Sequence, residues 1–337
     1  MTNILLLGGT GWLGKTLSGL ALDSGQQVTA LARGTQAFAP GVNEVIADRA
    51  SRDAYDRVEN QVWDLVIELT SSPTFAREAL RRLGGKARNW VFISSCSVYA
   101  EQSEPGADET ADVVKPLDPD DGEAEPDYAR TKSACEELSM QARDGRALVV
   151  RPGLIGGPGD PTGRSSYWPL RFAEPRDPVL VPADPDGQQW VQIIDVRDLA
   201  AFVLDAGSAG HRGFVNAVGA QHTLGEALRL AQEAAEAATS SANPDPGHKL
   251  VEYDLARMEV DLVNPWAGPK SLPLVLPTES GFAGFARRSD ARALALGLRR
   301  RSLRESFEDI VRSNDGGGAG ALRSGLSADE EAGLVVG

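Results

Sequence analysis

The stretch that decides the fold is Ile4-Leu5-Leu6-Leu7-Gly8-Gly9-Thr10-Gly11-Trp12-Leu13-Gly14-Lys15, followed by apolar residues at 17, 20 and 21. Four consecutive apolar residues read as a buried strand, and the spacing after Trp12 has the period of a helix. Between them Gly8, Gly11 and Gly14 form G-x-x-G-x-x-G. A glycine turn between a strand and a helix lets backbone approach a pyrophosphate, whose charge the helix N-terminus favours. That context predicts a dinucleotide site at Gly8, Thr10, Gly11, Trp12, Leu13 and Gly14.

Outward from this unit, short apolar runs alternate with helical patterns. Val28–Leu31, Val45-Ile46, Asp64–Leu69, Trp90–Ile93 and Ala147–Val150 read as strands. Helices are expected at Thr74–Leu83, Tyr128–Arg143, 223–239 and 290–313. Near-continuous apolar strands alternating with helices predict an α/β fold: a Rossmann-type, doubly wound parallel sheet with helices on both faces, and a smaller C-terminal substrate-binding region. The expected division is 1–150 for the dinucleotide-binding domain, 151–313 for the substrate region with some segments returning to the first, and 314–337 for a flexible tail. Two irregular stretches, acidic 101–127 and Pro/Gly-rich 151–189, are candidate lids over the site.

The second strand ends Ala30-Leu31-Ala32-Arg33-Gly34, with no carboxylate to accept from a ribose 2′-hydroxyl. Arg33 would instead pair with a 2′-phosphate, which favours NADP, with NAD the second choice. Asp48, after the third strand, is a candidate acceptor for the adenine amino group. Tyr128-Ala129-Arg130-Thr131-Lys132 places a phenol and an ammonium on one helix face. The nearby charge is expected to lower the Tyr128 pKa, making it an acid or base for a carbonyl/alcohol pair. Ser94–Tyr99 ends the fifth strand, where a hydroxyl would hydrogen-bond the substrate oxygen.

The chain resembles the extended short-chain dehydrogenase/reductases, the NAD(P)-dependent epimerase/dehydratase group. The likeness rests on Gly8–Gly14, Asp64–Thr70, Ile93–Tyr99, Tyr128–Lys132, Arg151–Gly159 and Asp195–Ala200, and spans about residues 3 to 310. It implies catalytic Ser95, Tyr128 and Lys132, with Ser97 a second hydroxyl candidate on the substrate side. It also implies that Lys132 holds the nicotinamide ribose and that Leu69, Thr70, Leu154 and Ile155 border the cofactor. Glu68 and Thr70-Ser71 depart from the family's usual His and small residues. Where the family's sugar dehydratases carry Thr-Asp-Glu this chain reads Ser95-Cys96-Ser97, so dehydration is not expected.

Substrate contacts are expected from Arg164, Tyr167, Trp168, Arg171, Trp190 and Gln192, the arginines for an anion and the tryptophans for a planar ring. The resulting expectation is an NADP-dependent oxidoreductase. An epimerase with retained cofactor and a non-catalytic sensor or RNA-binding relative remain as alternatives. The formal charge of −14 argues against nucleic acid, which needs clustered cations. Two cysteines form no disulfide framework and point to a reducing cytoplasm, and three scattered histidines form no local metal motif. No apolar run reaches the roughly 18 residues of a membrane span. The expected partner is a small-molecule substrate, and the expected assembly a monomer or homodimer.

Overall fold

In the computed structural model, the described residues are 2–118, 127–239, 248–277, 281–314 and 316–336. The strands are β1 (Asn3–Leu7), β2 (Gln27–Ala32), β3 (Asn43–Ile46), β4 (Trp63–Glu68), β5 (Ala87–Ile93), β6 (Ala147–Pro152), β7 (Leu154–Gly156), β8 (Val179–Ala183), β9 (Trp190–Asp195), β10 (Gly213–Ala217), β11 (Gln221–Thr223), β12 (Leu250–Asp254), β13 (Asn264–Trp266) and β14 (Ser271–Pro273). The helices are α1 (Trp12–Asp23), α2 (Pro73–Leu83), α3 (Tyr128–Ala142), α4 (Tyr167–Ala173), α5 (Val196–Ser208), α6 (Leu224–Thr239), α7 (Ala291–Ala295), α8 (Leu303–Arg312) and α9 (Ala328–Val336).

Seven strands form one parallel sheet in the order β10-β6-β5-β4-β1-β2-β3. Its central strands bury both faces, which is why they read as unbroken apolar runs. Ile4, Leu6, Ile67 and Val91 pack towards α1 and α5, while Leu5, Leu7, Val66 and Trp90 face the opposite layer. The order reverses beside β1, between β4 and β2, and ligands in such sheets bind outside the carboxyl ends at that switch.

A second core lies around α4, α6, α8, β8 and β14. Here the structure corrects several expectations. The stretch 151–189 is not one continuous loop: β7, α4 and β8 interrupt it, leaving irregular segments at 157–166, 174–178 and 184–189. The helix expected over 290–313 is broken into α7 and α8 at Gly297, whose φ of +96° is left-handed. The tail expected to be flexible is fastened instead. Leu326 is buried, and Glu331, 1% exposed, accepts from Arg171 Nε at 2.8 Å, Arg176 Nη1 at 2.5 Å and the Leu180 amide at 2.8 Å. The acidic stretch is irregular over 101–118, but backbone bonds tie it down: Gly106 to Arg287, Gly284 to Gln102 and Ser289 to Ala107. Residues 119–126 lie outside the described set.

Candidate active site

The cleft of about 630 Å³ at the switch point gathers the glycine turn, the end of β5, the start of α3, the β6–β7 segment and loops of the second half. Gly8 takes a φ of +99°, which a side chain would strain. A Cβ on Gly14 would lie 2.8 Å from Gly9 backbone, so only glycine lets α1 approach β1 this closely. Gly11 faces open space, no side chain caps α1, and its first turn holds no acidic residue. The first-turn N–H groups are therefore open to an anion, and the cradle fits a dinucleotide pyrophosphate. Trp12 closes one side through Nε1 to the Pro158 carbonyl at 2.9 Å.

Ser95 ends the extended backbone after β5 and caps a short 3₁₀ turn by accepting from the Ser97 amide at 3.1 Å. Its hydroxyl donates to Ser97 Oγ at 3.0 Å and is near enough to Tyr128 to act on its pKa. Asp127 caps α3 by accepting from the Arg130 amide at 2.8 Å, which sets Tyr128 at the first helical position. One turn on, Lys132 is 4% exposed, and its Nζ donates to the carbonyls of Thr70 at 2.8 Å and Ile93 at 2.7 Å. Burial lowers its pKa to about 8, with the Cys135, Glu68 and Glu136 charges opposing.

The Tyr128 pKa corrects the sequence reading. It is raised, because desolvation of the hydroxyl at the cleft outweighs the Ser95 and Arg164 interactions, although the residue as a whole is 52% exposed, and Lys132 does not lower it. The Lys132 ammonium sits 5.9 Å from the tyrosine ring centroid and is directed at the two carbonyls. The phenol is thus held in its neutral form.

Leu69, Leu154, Ile155, Ser97 and Arg164 all line this cleft, together with Gly8, Gly11, Trp12, Leu13, Gly14, Ser95, Tyr128 and Lys132. Thr70 contributes its carbonyl from behind Lys132. Arg33 and Asp48 lie outside this cleft, exposed after β2 and β3, and Asp48 accepts from the Ala50 amide. Arg33 has no ion-pair partner among the described residues, and no carboxylate stands at the end of β2.

Four expected substrate contacts are not in the cleft. Tyr167, Trp168 and Arg171 are 0%, 1% and 0% exposed, because α4 is covered on all sides by the second core. The Trp168 indole donates to the Pro273 carbonyl at 2.7 Å, and Arg171 is engaged by Glu331. Trp190 carries the Arg287 guanidinium over its ring at 4.2 Å. Gln192 does line the cleft, but its amide is bound internally to Gly219 and to both backbone groups of Arg288. In their place the structure brings Asp160, Trp266, Leu274, Phe285 and Arg288 to the cleft. The Phe282–Arg288 run, with two aromatic and two basic residues in seven, was the available signal for the last two. Glu68, at the family's usual His position, is buried and paired with Arg49 at 2.6 Å; the Arg49 pKa is raised, its Glu68 partner outweighing burial.

Fold and cleft together define an α/β protein of the dinucleotide-binding, doubly wound class. The chain belongs to the NAD dependent epimerase/dehydratase family, whose model matches residues 4–217, a family of oxidoreductase-type enzymes. Its structure is similar to that of a putative epimerase from Burkholderia cenocepacia J2315, at 18% identity and a TM-score of 0.69 over 93% of this chain and 99% of that one. It is also similar to UDP-glucuronic acid 4-epimerase from Bacillus cereus in complex with NAD, at 13% identity and a TM-score of 0.60 over 93% and 96%. At these identities the likeness is one of fold. In sequence it is 25% identical, over 60% of its length, to chloroplast stem-loop binding protein of 41 kDa b of Arabidopsis thaliana; the chain spans about half, 54%, of that relative.

Proposed function

We propose that the chain is an NADP-dependent oxidoreductase that moves hydride between the nicotinamide and a substrate carbonyl or secondary alcohol. The observation that carries this reading is that Ser95, Tyr128 and Lys132 line one cleft together with the glycine cradle. The bound dinucleotide supplies or accepts the hydride. Ser95 hydrogen-bonds the substrate oxygen, and Tyr128, neutral because its pKa is raised, donates its proton to that oxygen as negative charge develops. Lys132 has three donors and uses two on Thr70 and Ile93. The third serves the ribose hydroxyls. Leu154 and Ile155 border the nicotinamide and exclude water from the transfer path.

The unpaired Arg33 supports NADP over NAD. The short Ser95-Cys96-Ser97 segment lacks a carboxylic acid–base, which supports redox chemistry over elimination. The stem-loop binding in the Arabidopsis relative's name does not come to this chain in our reading, given its charge of −14. The test is turnover: NADPH consumption, followed by the loss of reduced-nicotinamide absorbance against a panel of carbonyl compounds. Cofactor that stays bound through purification, with no net NADPH consumption, would instead favour an epimerase. No exchange of hydride with any substrate would refute both.

A further inference from the structure

Arg288 lines the cleft yet is 1% exposed. Its Nη2 donates to the Glu101 carbonyl and to Gln102 Oε1, both at 2.6 Å. Its Nε and Nη1 are buried without an acceptor, and no carboxylate pairs with it among the described residues. A buried cation without a counter-charge is costly unless something supplies one. Other buried arginines here are matched: Arg49 with Glu68, Arg151 with Glu136, Arg171 with Glu331. Arg143 lacks a carboxylate but engages the carbonyls of Gly84, Ala87 and Arg88, away from the cleft. Arg288 is also fixed in place. Gln192 binds its amide and carbonyl, and its guanidinium lies over the Tyr99 ring at 4.2 Å. Its charge reaches Cys96, the residue between Ser95 and Ser97.

Arg164 is a second cation of the cleft: no carboxylate forms an ion pair with it among the described residues, although the nearby Asp160 charge acts on it. It is half-buried, stacks on Trp266 at 5.2 Å and is near enough to Tyr128 for its charge to act there. Trp266 meets Phe285 edge-on at 5.1 Å, and Val191 and Leu274 extend this apolar wall. Arg288 near the Ser95 turn and Arg164 near Tyr128 thus bracket the hydroxyl pair within apolar surroundings.

Deepening the hydride-transfer reading, on which it rests for the reacting carbon, we propose that the substrate is a compact carbonyl or alcohol compound carrying an oxyanion, carboxylate or phosphate, beside the reacting carbon. Arg288 and Arg164 hold the anion, and Trp266 and Phe285 hold the apolar body.

The test uses the full chain saturated with NADPH, with ligand binding read from reduced-nicotinamide fluorescence. Two matched pairs are titrated: benzoylformate against methyl benzoylformate, and dihydroxyacetone phosphate against dihydroxyacetone. In at least one pair the anion should bind roughly tenfold to a hundredfold more tightly, the value of a charge-assisted bond. Preference in the first pair alone assigns a carboxylate, and in the second alone a phosphate. Arg288→Gln should bring the paired affinities within about threefold of each other, and Arg164→Gln should narrow the gap, both with NADPH affinity unchanged. If Arg288→Gln does not fold, the half-exposed Arg164 variant carries the test. No anion outbinding its uncharged counterpart, or a preference untouched by the variants that fold, overturns the proposal. Absence of NADPH binding, read before any anion is added, counts against the hydride-transfer reading alone; the pairs are then compared on the free chain by thermal shift, with the same outcomes deciding.

Discussion

Replacing Lys132 by Met should change how stability depends on pH. In the folded chain burial holds this amine at about 8, against a usual 10.5. That difference corresponds to roughly 3 kcal/mol for keeping the charge inside the protein at neutral pH. The sign follows from proton binding. Between about pH 8 and 10.5 the unfolded chain binds a proton that the folded chain has released, so stability rises with pH in that window. Below 8 both states are charged and the contribution is flat. The Met variant has no such titration, while the other groups remain. The stability of the unmodified protein minus that of the variant should therefore be constant from pH 6 to 7.5. It should then climb by about 1.4 kcal/mol per pH unit, reaching roughly 3 kcal/mol near pH 10.5. Urea unfolding of both proteins at half-unit pH intervals measures it. A difference that stays flat through pH 10, or falls, would show that Lys132 is not held by desolvation and would refute the reasoning.

Tyr128→Phe should lower turnover by roughly 10²–10⁴ with cofactor affinity unchanged, and steady-state kinetics at saturating NADPH checks it. Because desolvation at the cleft raises the Tyr128 pKa, any inflection it gives in the reduction rate should fall above the ordinary 10. Arg33→Asp should weaken NADP binding by about ten- to a hundredfold and reverse its order with NAD, read by calorimetry; equal affinities in the unmodified chain would remove the claim. Glu331→Gln leaves Arg171 buried and half-partnered, and should cost about 3–5 kcal/mol in urea melts. A loss under about 1 kcal/mol would mean that α9 does not fasten the second core.

The sheet and the glycine turn were legible because their causes are local: unbroken apolar runs, and glycines fixed in spacing between a strand and a helix. Tyr128 and Lys132 were legible for the same reason, four residues apart on one helix. Arg171 was misread because its partner, Glu331, lies 160 residues along the chain. Nothing near Arg171 distinguishes a buried ion pair from a ligand clamp. Tyr167 and Trp168 stood in a Pro/Gly-rich stretch that read as loop, whereas α4 packs against both α6 and α8. The Tyr128 pKa was misjudged in sign because helix spacing gives proximity to Lys132 but neither burial nor the direction of the ammonium. Arg288 and Phe285 reach the cleft from a segment with no regular structure, which periodicity does not address.

The strand β10 joins the sheet beside β6 only after the chain has left it for β7, α4, β8 and β9. Between these excursions and β11 the chain returns as α5, which packs on α1 and closes the sheet's other face. A chimaera that grafts this cleft's substrate wall onto a relative must therefore bring residues 154–195, 219–289 and the chain from 302 onward, while keeping the host's α5, β10 and the α7 segment that packs on them. That requires joins near 153/154, 195/196, 218/219, 289/290 and 301/302 rather than one crossover. A single join at the end of β6 would carry α5 and β10 across with the graft and set them against a foreign α1 and β6. Recombination that respects this interlacing should yield folded hybrids, and hybrids cut once should be found mainly as aggregates.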